Sequence, residues 1–163
     1  MVDFSIAMTS ASGPLQFGDS KEGLFAIRVN EQMKVERKEN PGSIVNSAGQ
    51  KDGEAWGKRA EWVDYFGKVD GKSVGIAMFD APTNFRHPTY WHVRTYGLFA
   101  ANPFGLSHFT GDKNQDGSHQ VPEGEAYKAS YRVYFHEGGP EEAKVADWYV
   151  AYARPPVATV SAP

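Results

Sequence analysis

The densest run of chemically capable side chains is Asn84-Phe85-Arg86-His87-Pro88-Thr89-Tyr90-Trp91-His92-Val93-Arg94-Thr95-Tyr96, which holds two of the five histidines in the chain. Two imidazoles that converge would supply an acid and a base near neutral pH, or two nitrogen ligands for a metal. Residues five apart on one straight strand face opposite ways. Pro82 and Pro88 make the first half of this segment a loop, however, so His87 and His92 are still free to meet. The ordinary alternative is that each histidine is a surface or loop residue satisfied by hydrogen bonds.

A second concentration, Glu54-Ala55-Trp56-Gly57-Lys58-Arg59-Ala60-Glu61-Trp62-Val63-Asp64-Tyr65, alternates indoles with carboxylates and cations. Flat indoles stack on the C–H face of a pyranose while charged groups bind its hydroxyls, so this mixture suits a saccharide site. The plainer reading makes Trp62 the start of a core strand and leaves the charges solvated or paired. A third signal is Asp112-Lys113-Asn114-Gln115-Asp116-Gly117-Ser118 with Glu123, which completes the D-x-[DN]-x-[DN]-G-x5-E spacing. That spacing predicts oxygen ligands from Asp112, Asn114, Asp116 and Glu123 around calcium. Its flanks look like strand rather than the helices of an EF-hand, and an Asp/Asn/Gly-rich turn is the competing explanation.

Short alternating runs broken by 17 Gly and 10 Pro must position these groups, and they predict an all-β, antiparallel fold. Candidate strands are Phe4 to Met8, Leu15 to Phe17, Leu24 to Val29 and Ile44 to Asn46. Trp62 to Lys68 and Ser73 to Phe79 form a hairpin through Val69-Asp70-Gly71-Lys72, since Asp-Gly takes the positive φ angles of a tight turn. From Ala126 to His136, the residues Tyr127, Ala129, Tyr131, Val133 and Phe135 alternate with polar ones, which predicts one buried face. Pro140 opens a helix to Ala153 whose Val145, Trp148, Tyr149 and Tyr152 share a face. The expected architecture is one β-sandwich or jelly roll over 1–154 with that C-terminal helix, and a loose tail over 155–163.

The hairpin returns the chain, so the segment before Trp62 and the segment after Phe79 leave the sheet at the same end, within reach of one pocket. A net charge of −3 gives no basic field for nucleic acid or an anionic membrane surface. The absence of cysteine excludes disulfides and thiolate chemistry. No apolar run approaches the roughly 20 residues that span a bilayer, and MVDFSIAMTS lacks the pattern of a signal peptide. A soluble protein is expected, with its compartment open.

Gly23 to Val29, Asn46 to Gly49, Glu54 to Tyr65, Arg86 to Arg94 and Tyr96 to Gly105 together resemble a bacterial family of unknown function labelled "methane oxygenase PmoA". The resemblance implies a galactose-mutarotase-like sandwich and a carbohydrate context. It also implies that much of the family's N-terminal half is missing here, and a sandwich so reduced favours homo-oligomers.

The leading expectation is therefore a carbohydrate-active protein with His87 and His92 as acid and base. Arg86 and Arg94 would hold substrate oxygens, Trp56, Trp62 and Trp91 would supply stacking walls, and Arg59, Tyr90, Tyr96 and Asn102 would complete the lining. The alternatives are a non-catalytic carbohydrate-binding or structural sandwich, and a metal oxidoreductase ligated by His87, His92 and one of His108, His119 or His136. No cofactor is implied beyond the calcium of the Asp112 loop.

Overall fold

The computed structural model describes residues 1–155, so all of the expected tail except Pro155 lies outside the described residues. Strand accounts for 39% of residues and helix for 14%, which decides for the all-β sandwich reading. In chain order the strands are β1 (Val2–Met8), β2 (Leu15–Phe17), β3 (Phe25–Arg28), β4 (Ser43–Asn46), β5 (Trp62–Val69), β6 (Lys72–Asp80), β7 (Tyr90–Val93), β8 (Leu98–Asn102), β9 (His119–Val121) and β10 (Tyr127–Glu137). The helices are α1 (Leu106–Thr110) and α2 (Val145–Ala153).

Sheets of order β1-β10-β6-β5-β4, β3-β8-β7 and β2-β9 result, with every pairing antiparallel. The β5–β6 hairpin turns at Asp70 (φ 50°) and Gly71 (φ 81°), the positive pair expected of Asp-Gly. Period-two alternation then sorts the side chains. Val63, Tyr65, Met78, Tyr131 and Val133 of the large sheet meet Trp91, Val93 and Phe99 of the three-stranded sheet in the main core. Stacking of Phe25 on Tyr131, with centroids 5.0 Å apart, ties the two layers. The opposite face of the large sheet carries Ala77 and Phe79, and α2 covers it with Val145 and Tyr149.

Three local expectations need correction. The helix begins at Val145, not Pro140, because Lys144 sits at φ 52° and interrupts the spiral. The preceding residues form a separate turn, in which Val145 N–H donates to Pro140 O at 2.9 Å. Trp148 does not join the buried face of α2 and remains 44% exposed, since that helix face is already filled by Tyr149 against Phe79. Phe135 is 56% exposed although its partners in the alternation are buried, because β10 outruns the main core at that end.

Candidate functional site

The two clusters separated by the β5–β6 hairpin do lie against each other. Gly57 N–H donates to Trp91 O, Trp91 N–H to Lys58 O, and Ala60 N–H to Thr89 O, zipping the segment before β5 onto β7. Arg59 crosses this seam. Its guanidinium donates to the carbonyls of Arg86, His87 and Pro88 at 2.8–3.3 Å, and its plane lies over the Tyr90 ring.

That clamp fixes the loop presenting His87. His87 Nδ1 lies 2.8 Å from Asp80 Oδ2, and Asp80, the last residue of β6, is fully buried. The same carboxylate accepts from Thr89 N–H at 2.9 Å and from the Asn84 amide at 2.7 Å. Burial pushes the Asp80 carboxyl above the ordinary carboxylate value, and these donors pull it back only in part. Because the carboxylate oxygen accepts, the hydrogen sits on Nδ1 and the Nε2 lone pair is left for chemistry. The His87 ring lines a pocket of about 380 Å³ with Glu61, Pro82, Tyr149, Val150 and Arg154.

His92 lives elsewhere. On β7 the even-numbered Tyr90 and His92 turn to the outer face of the three-stranded sheet, while Trp91 and Val93 turn into the core. The His92 Nδ1–H is held by the Lys21 carbonyl, and its ring meets Trp56 and Phe109 edge-on, with centroids 6.3 Å away in each case. The expected acid–base pairing of His87 with His92 is thus not formed: the loop turns one imidazole toward Asp80 and α2, and the strand turns the other outward beneath α1.

Among the remaining expected site residues, Trp56, Arg59, Tyr90, Arg94 and Tyr96 form one continuous outer strip with His92. Tyr90 stacks on Phe109, Phe109 meets Trp56, and Arg94 lies over both Trp56 and Tyr96. Trp91, Trp62, Arg86 and Asn102 do not line a site. Trp91 is wholly buried and donates its indole N–H to Ala60 O at 2.9 Å, while Trp62 packs beside Phe79 in the layer under α2. Arg86 spends its guanidinium on the carbonyls of Pro103, Gly117 and Ser118, and buried Asn102 pins Ser20 O and Phe104 N–H.

The calcium arrangement does not form either. Asp112 accepts from Asn114 N–H and the Gln115 amide, and Asp116 accepts from the backbone and hydroxyl of Ser118, so both carboxylates are folded back into their own turns. Strand β9 then carries the chain away before Glu123. Nor do His108, His119 or His136 join His87 and His92 as ligands. His119 stacks on Phe85 and His136 bonds Asp64, and no group of three or more His, Asp or Glu is placed to hold a metal among the described residues.

A family model covers residues 1–149. The chain belongs to a family of unknown function, DUF6807. Comparison with curated proteins and with solved structures found no match. No helix among the described residues is long and apolar enough to cross a membrane.

Asp80 and the Asp64–His136 pair were not anticipated from sequence. The signal for each was a single carboxylate inside an otherwise apolar run, GIAMFD for Asp80 and WVDYF for Asp64. A lone buried charge of that kind requires a partner.

Proposed function

We propose that this protein is a carbohydrate-active enzyme using acid–base chemistry, with His87 as the proton acceptor in the pocket beside α2. The observation that carries this reading is the His87–Asp80 bond. A buried carboxylate on Nδ1 fixes the ring and its tautomer and stabilises the imidazolium that forms when Nε2 takes a proton. Glu61 lines the same pocket and is positioned as the second proton-handling group, with Arg154 on a substrate oxygen. Epimerisation, ring opening and elimination on a sugar all require this division of labour between a base and an acid. The sugar itself is inferred from the resemblance of Gly23 to Val29, Glu54 to Tyr65 and Arg86 to Arg94 to the family labelled "methane oxygenase PmoA", whose context is carbohydrate degradation.

The test is a panel of aldoses and sugar acids incubated in D2O and followed by proton NMR for exchange, epimerisation or unsaturated products. Activity in the wild type that falls by about 10²-fold or more in His87→Gln supports the assignment. A wild-type protein that binds a sugar by calorimetry and changes none of the panel is a binding module, and the catalytic reading is then wrong.

A further inference from the structure

The outer face of the three-stranded sheet carries two arginines whose guanidiniums have no hydrogen-bond or ionic partner among the described residues, Arg28 and Arg94. This sets them apart from Arg59 and Arg86, which are committed to backbone carbonyls, and from Arg132, which holds Asp3 in a two-pronged pair. Arg94 is nevertheless held in place. A tight turn in which Gly97 N–H donates to Arg94 O and Arg94 N–H to Leu98 O sets its backbone. Its guanidinium carbon lies 5.5 Å from the centroids of both Trp56 and Tyr96, and Arg28 covers Tyr96 at 5.8 Å.

Rings stacked over a guanidinium leave its in-plane N–H groups as the free donors, and those match the two oxygens of a planar carboxylate. Arg94, Trp56, Thr95 and Gly53 line a recess of about 200 Å³, room for one small ring or a short acid. The indole N–H of Trp56, a residue that lines the recess, is buried without an acceptor. One anion stands close by, since the Glu36 carboxylate accepts from the Thr95 hydroxyl at 2.6 Å, while Lys34, beside Gly97, pairs with Glu31.

We propose that Arg94 and the Trp56 indole beside it form a binding site for the carboxylate of a small organic acid, separate from the His87 pocket and independent of any catalysis there. The probe is sodium glucuronate against glucose, the same ring without the carboxylate, and against inorganic phosphate. The full chain is titrated by calorimetry and by two-dimensional NMR of the Trp56 Nε1–H and Arg94 Nε–H. The expected result is saturable glucuronate binding that moves both resonances and weakens roughly tenfold or more in Arg94→Gln. Arg94→Lys, which keeps the charge and loses the fork, should lose most of that affinity. The proposal is overturned by no binding up to tens of millimolar, by glucose or phosphate binding as tightly, or by unchanged affinity in Arg94→Gln. If any Arg94 variant misfolds, the two wild-type resonances decide: glucuronate binding that leaves them unmoved overturns the site.

Discussion

His87 Nδ1 and Asp80 Oδ2 stand 2.8 Å apart, the carboxylate fully buried and the imidazole side chain 17% exposed. Under the proposed function, Asp80 acts through His87 rather than on a ligand. Asp80→Asn replaces an acceptor of three donors by an amide whose own NH2 must face either the Asn84 amide or Thr89 N–H and His87. The expected cost is about 1–3 kcal/mol in urea unfolding, together with loss of whatever proton-transfer activity the wild type shows. His87→Gln should cost less stability and as much activity, because its ring reaches solvent. Equal stability in Asp80→Asn and wild type would rule out the buried network as described.

The two tryptophans of the seam separate core from surface. Trp91→Ala empties a fully buried site and leaves Ala60 O without its donor, so a loss of about 3–5 kcal/mol is expected in equilibrium unfolding. Trp56→Ala, at a half-buried position on the outer strip, should cost clearly less in the same measurement.

Stability should fall as pH rises above neutrality. Burial alone would lower the His136 value, but its Nε2–H bond to Asp64 Oδ1 at 3.0 Å outweighs this and holds it above the ordinary 6.5. Burial likewise pushes the Asp64 carboxyl up, with His136 drawing it back only in part. A histidine raised in the folded state contributes stability that is full below pH 6.5 and is lost as pH climbs through the folded value. Melting temperatures across pH 6 to 9 should therefore decline, and His136→Gln should flatten that slope.

Calcium should not stabilise the fold. The side-chain oxygens of Asp112 and Asp116 are already bonded within their turns, so millimolar calcium is expected to leave the melting temperature unchanged in both wild type and Asp112→Ala. A rise that Asp112→Ala abolishes would show that the loop reorganises around the ion.

The fold was legible wherever a period of two or a turn dipeptide spoke plainly. Leu15 to Phe17 and the Asp70-Gly71 hairpin fall where the sequence puts them, and the strand from Ala126 shows its alternation as far as Val133. Strands β7 and β8 were harder to see, because Tyr90 to Val93 mixes residues of opposite faces that are all large. For the site, side-chain type pointed to the right neighbourhood but not to the right partners. His87 and His92 read as a pair because they are close in sequence, whereas the partner of His87 is a carboxylate at the end of the preceding strand. Arg86 reads as a ligand-binding cation, and its capture by three carbonyls depends on loops that only the fold brings together. The calcium spacing matched in composition and failed in geometry, since Asx turns satisfy the same oxygens locally.

Gly75 lies opposite His136 in the β6–β10 register, and a Cβ built there would come within 2.2 Å of the imidazole Cε1. The bare backbone at 75 is the seat of that ring, so the two positions cannot drift separately over evolutionary time. A side chain at 75 becomes tolerable only after 136 has shed its ring, and once 136 has shrunk, nothing forbids 75 from growing. In related chains the two columns should change in step, with Asp64 giving up its charge in the lineages where the ring is gone, since a buried carboxylate deprived of the one side-chain partner it has among the described residues is the costliest state of the three.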